Sequence, residues 1–150
     1  MNHTCSVKQA FIMLAITAAF FSLLALPAAA EPQGIAFVNS PEQAHTSCFS
    51  GNMDKAFKCA RKKCQKAGGD ECLRVRWCYP AMWSGVMSIN LSIGFHFPAE
   101  LCGMPSKKAL LATFEVMCRN WENASDCYVG SIFSPQGEKE TSGIAFDPKK

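Results

Sequence analysis

Most of the marks of a cytosolic enzyme are missing from this 150-residue chain. It has no C-x-x-C, which argues against a thioredoxin-like redox site. It has no G-x-S-x-G, Walker or dinucleotide-binding pattern either, so no nucleotide or flavin cofactor is implied. Beyond the apolar stretch at 10–26 there is no further long hydrophobic run, which excludes a multi-span membrane protein. Charge is scarce at 18%, and 15 basic against 12 acidic residues give a net charge of only +3. Hydrophobic residues reach 49% with a mean hydropathy of +0.03, so the chain is not a disordered polyelectrolyte and is expected to fold.

Cysteine is abundant: nine are present, eight of them after residue 30. That density points to a cross-linked extracytoplasmic scaffold. The N-terminus agrees. A short polar segment with the single cation Lys8 precedes the apolar run, and Pro27-Ala28-Ala29-Ala30-Glu31 follows it. Pro27 breaks the helix, and Ala28 and Ala30 fit an A-x-A cleavage site, so 1–30 is expected to be a signal peptide cut after Ala30. The expected locations are the periplasm or the exterior. The mature part is expected to be one domain at 31–135 followed by a polar C-terminal tail at 136–150.

The cysteines recur in order. A shift of 54 residues carries Cys48 onto Cys102 and Cys64 onto Cys118, and one more residue carries Cys72 onto Cys127. A shift of 51 carries Gly34 onto Gly85 and His45 onto His96. This implies an internal duplication with halves at about 33–79 and 81–133. In half one, 35–39 and 44–50 are β-prone runs around the Ser40-Pro41 turn. Asn52 can cap a helix whose Phe57, Ala60, Cys64 and Ala67 share one face, and Gly68-Gly69 ends it. Residues 72–78 alternate, with Leu73, Val75 and Trp77 opposite Arg74 and Arg76, as in a half-buried strand. Half two repeats the plan: strands at 83–91 and 92–97, a connection at 98–105, and a helix capped by Ser106 with Leu111, Phe114, Cys118 and Trp121 on its apolar face. A strand at 127–133 completes it. The fold class is therefore α+β: two pseudo-repeated ββαβ units with small antiparallel sheets, one helix per unit, stapled by disulfides. Trp77, Trp83 and Trp121 are expected in the core. Gly143-Ile144-Ala145-Phe146 echoes Gly34-Ile35-Ala36-Phe37, which leaves the tail open between an edge strand and a mobile segment.

Gly34-Ile35-Ala36-Phe37, the helix at 56–64, Gly68-Gly69-Asp70-Glu71-Cys72, Cys78-Tyr79-Pro80-Ala81 and, more distantly, 114–118 with Cys127 carry a family resemblance. Across about 33–133 the chain resembles domain-of-unknown-function family 4189, small secreted bacterial proteins with duplicated Cys-containing units. The resemblance implies a secreted α+β fold and no agreed catalytic residues.

Eight cysteines admit 105 full pairings. If the halves are equivalent, Cys64 pairs with Cys72 and Cys118 with Cys127, while Cys48 with Cys102 joins the halves and Cys59 with Cys78 remain. A sharper possibility concerns Cys59, which has no counterpart in half two and lies beside Lys55, Lys62 and Lys66. Cations lower a thiol pKa, so Cys59 is a candidate reactive thiolate with Cys78 as its resolving partner. His45 and His96 are the weak candidates for zinc. No H-x₃₋₅-H pair exists, so no metal site is assigned.

The cationic segment is the remaining signal. Between residues 55 and 76 lie eight basic residues against Asp70 and Glu71. Its stripe Lys55, Lys58, Lys62, Lys66 is the candidate binding surface for a protein or an anionic envelope ligand. Nucleic acid is not expected, because no aromatic platform interleaves the cations. The leading expectation is a non-enzymatic secreted or periplasmic binding protein of inhibitor, immunity or effector type. The competing class is a small extracytoplasmic enzyme, thiol-dependent through Cys59 or a hydrolase without a recognisable motif.

Overall fold

The structure is a computed structural model that describes residues 33–41 and 43–149. The expected signal peptide at 1–30 lies outside the described residues. The element order is β1 (Gly34–Ser40), β2 (Ala44–Ser50), α1 (Met53–Lys66), β3 (Leu73–Cys78), β4 (Trp83–Leu91), β5 (His96–Met104), α2 (Lys107–Asn120), β6 (Ala124–Phe133), β7 (Lys139–Thr141) and β8 (Ala145–Phe146). Two antiparallel sheets result, ordered β2-β1-β3 and β5-β4-β6-β7, with β8 also pairing β6. Both halves thus run ββαβ, and in each the first strand is the central one. The fold is α+β, with two helices and two small antiparallel sheets.

Strand parity sorts the side chains into layers. Ala36 and Val38 of β1 face α1 and pack with Ala56, Phe57, Ala60 and Cys64. Ile35 and Phe37 face the opposite way and meet Phe133, Phe49 and Val86. On the second sheet, Met87, Ile89, Val129 and Ile132 pack against Leu110, Phe114 and Cys118 of α2. The order of layers is therefore helix, sheet, sheet, helix, with the inner faces of the two sheets in contact. Each helix is held at its start by the cap the sequence indicated. Asn52 Oδ1 accepts from the Lys55 amide at 3.0 Å, and Ser106 Oγ accepts from the Ala109 amide at 3.1 Å. Gly68 ends α1 at φ +91°, a conformation that costs a glycine little.

All eight of these cysteines are bonded: Cys48–Cys59, Cys64–Cys72, Cys78–Cys102 and Cys118–Cys127. Two pairs agree with the duplication argument, while Cys48–Cys102 and Cys59–Cys78 do not form. Parity is the reason. Cys48 lies opposite Ala36, on the face turned to α1, so its partner is Cys59 on that helix. Cys78 lies opposite Ile35 and packs with Cys102 between the sheets, so that bridge joins the halves. Four disulfides mark a protein of an oxidising compartment. Among the described residues no helix is long and apolar enough to cross a membrane.

Other expectations change with similar causes. The register of β3 slips between Phe37 and Val38 of its neighbour, so Ala36 faces Trp77 while Val38 faces Arg74. This bulge puts Arg74 on the helix side with Trp77 and leaves Leu73 and Val75 exposed, against the strict alternation of a half-buried strand. The second hairpin turns at 92–95, and β5 extends through the residues expected to connect, so Pro98 sits inside a strand. It does so opposite Ser88 at a sheet edge, where a missing N–H is tolerated. Ala67 is exposed at the end of α1. Of the tryptophans, Trp77 and Trp83 are half-buried, and Trp121 is 41% exposed beside Phe97. The C-terminal segment, left open between an edge strand and a mobile tail, supplies β7 and, within the Gly143-Ile144-Ala145-Phe146 stretch, β8, and Ile144 and Phe146 pack against the core under α2.

Candidate functional site

Along the inner faces of β1, β2 and β4 the residues change from apolar to polar. On β1 the order is Ile35, Phe37, Asn39, and on its partner Phe49, Ser47, His45. On β4 it is Val86, Ser88, Asn90, which lie opposite Glu100, Pro98 and His96 of β5, so that β5 carries a charged residue beside the apolar end. The apolar ends of these rows form the contact between the sheets. The polar ends enclose a cleft of 520 Å³ that both histidines line, together with Asn39, Pro41, Ser88, Phe95, Pro98 and Tyr128. Its volume lies within the ~300–1,000 Å³ of small-molecule sites.

The chemical centre is a hydrogen-bonded histidine–glutamate pair between the halves. His45 Nε2 lies 2.8 Å from Glu100 Oε1, and the two side chains are only 20% and 7% exposed. A carboxylate this deeply buried requires a hydrogen-bond donor, and the imidazole provides one from the opposite sheet. Glu100 was not singled out by the sequence pattern. It is the sole acidic residue between Glu71 and Glu115, and its place two residues after Pro98 in an apolar run was the available signal. At the mouth, Phe95 is 56% and Tyr128 41% exposed. The structure brings His45 and His96 to one cleft, as their matched positions in the two halves allow. Among the described residues there is no group of three or more His, Cys, Asp or Glu that could hold a metal ion.

The basic surface lies on the other side of the first sheet. Lys55, Lys58, Arg61, Lys62 and Lys66 are all exposed on α1. The twelve residues from Lys55 to Lys66 span about 16 Å of helix. None of these five forms an ion pair with a described residue. Asp54 is engaged by Arg74 at 3.3 Å, and Lys63 Nζ donates to the Ser47 carbonyl at 3.1 Å. Arg74 also lies 4.7 Å above the Phe57 ring, and both line a shallow groove with Lys58, Arg61 and Lys62. Asp70 is held by a side chain of the first hairpin. Gln43 Nε2 donates to Asp70 Oδ2 and Gln43 Oε1 accepts from the Asp70 amide, which ties the first hairpin to the loop after α1.

The candidate thiol is accounted for differently. Cys59 is bonded to Cys48 and Cys78 to Cys102, so neither is a free thiolate, and they are not each other's partner. The nucleophile and resolving-thiol roles have no basis in this structure. No protein-family model, curated protein or solved structure matches the chain.

Proposed function

We propose that this is a secreted or periplasmic binding protein that captures an acidic protein surface through the outer face of α1. The observation that supports this is the row Lys55, Lys58, Arg61, Lys62 and Lys66, exposed along one helix and uncompensated by any described acid. Like charges at helical spacing repel one another by a few tenths of a kcal/mol per pair. A partner with carboxylates at matching spacing removes that cost and steers encounter. The helix is fastened at its middle to β2 by Cys48–Cys59 and in its last turn to the residue before β3 by Cys64–Cys72, so the surface is presented rigidly. Rigid presentation reduces the ordering cost of association.

Two further elements belong to this reading. We take the equal strand order of the two ββαβ halves as support for an internal duplication whose first copy acquired the basic face. We assign the chain to domain-of-unknown-function family 4189 on the motif residues above, with export through a cleaved leader. The test is salt-dependent capture from the extracytoplasmic fraction by immobilised protein. Changing Lys55, Lys58, Lys62 and Lys66 to Glu abolishes capture of an acidic protein that the parent releases at raised ionic strength. Capture that survives the four changes contradicts the proposal, as does binding only to anionic vesicles or acidic polysaccharide.

A further inference from the structure

The cleft between the sheets is unrelated to the basic face and has its own chemistry. Among the described residues its lining contains no Lys, Arg, Asp or Glu, so its described walls favour an uncharged, hydroxyl-bearing ligand. Glu100 lies behind His45 and is occupied by it. Its apolar surface comes mainly from the rings of Phe95, Phe97, Tyr128, Pro41 and Pro98, with Val86 and no Leu, Ile or Met, so it offers flat ring faces more than an aliphatic channel. What the walls do offer is aromatic surface, hydroxyls, an amide and imidazole. We propose that the cleft binds a neutral sugar ring, an uncharged pyranose unit of a glycan.

The recognition follows from the groups present. Phe95 and Tyr128, both strongly exposed at the mouth, present apolar rings against which the C–H face of a pyranose packs. The side chains of Asn39, Ser88 and His96 hydrogen-bond no described residue and are available to hydroxyls. His45 contributes a fixed acceptor. In the tautomer whose Nε2–H donates to Glu100 Oε1, Nδ1 presents a lone pair to a sugar O–H. Glu100 thus acts as a positioning residue, setting the tautomer from the opposite sheet.

The test is an NMR titration of the disulfide-intact protein with neutral trisaccharides of glucose, mannose, galactose and N-acetylglucosamine. Glucose 6-phosphate and phenol serve as the anionic and planar-ring probes. The expected result is saturable shifts of Phe95, His96 and Tyr128 with at least one trisaccharide. Phe95→Ala and Tyr128→Ala each weaken that binding by at least about tenfold while the rest of the spectrum stays native. If Tyr128→Ala disturbs the sheet, Phe95→Ala in the hairpin turn still decides. The proposal is overturned if no trisaccharide shifts these residues, if only phenol or glucose 6-phosphate does, or if binding survives the substitutions. The variant with the four α1 lysines changed to Glu keeps the sugar response, which separates this inference from the capture of an acidic protein.

Discussion

Glu100 and His45 are the residues on which the two halves depend chemically. Removing the imidazole leaves a carboxylate that is 7% exposed without its donor. His45→Ala is therefore expected to lower unfolding stability by about 2 kcal/mol, within the range for orphaning a buried charged acceptor. Glu100→Gln keeps an acceptor and is expected to cost about 1 kcal/mol. Urea unfolding under non-reducing conditions measures both, and an unchanged midpoint for His45→Ala contradicts the assigned pairing. Gly69 is a second sensitive residue. A Cβ there would stand 2.7 Å from Cys64 Sγ and 3.0 Å from Cys72 Sγ, so Gly69→Ala is expected to impair closure of that bridge. Thiol labelling of the refolded variant reads the effect directly. Of the residues at the cleft, His45 and His96 could be found from the sequence because their spacing repeats. Glu100 could not, because one acid in a strand carries no partner information until the opposing sheet is in place.

At the scale of elements, local signals with a physical cause nearby were the legible ones. Asn52 and Ser106 cap helices because the hydrogen bond they make is confined to one turn, and the sequence shows both ends of it. Ser106→Ala is expected to cost about 1 kcal/mol, which thermal unfolding resolves. The four lysine-to-Glu changes on α1 are expected to alter stability far less than they alter binding, since the side chains are exposed. Equal loss of stability and capture would show the basic stripe to be structural. What the sequence did not show was register. The bulge in β3 depends on its pairing with β1, and the extension of β5 through Pro98 depends on its being an edge strand. Both are set by neighbours distant in the chain, and so are β7 and β8, short segments with little preference of their own.

For the whole molecule, the disulfides describe the architecture. Three bridges each fasten a helix to its own half, and Cys78–Cys102 alone joins the two. The loop it closes is the longest of the four, with a sequence separation of 24. In the chain-entropy picture it contributes about 3.5 kcal/mol, against about 2.5–2.8 for the others. The duplication argument found the two helix-to-strand staples because they recur in sequence. It misplaced the other two because equivalent positions in a repeat do not face one another in a stack of two sheets. Strand parity, which fixes the face, requires the pairing register. The direct test is proteolysis of the native, unreduced protein with mass mapping of the linked peptides. The account predicts Cys48–Cys59, Cys64–Cys72, Cys78–Cys102 and Cys118–Cys127. Recovery of Cys48–Cys102 with Cys59–Cys78 would contradict it, because Cys48 would then have to face the second sheet and the helix, sheet, sheet, helix order that frames the cleft would not hold.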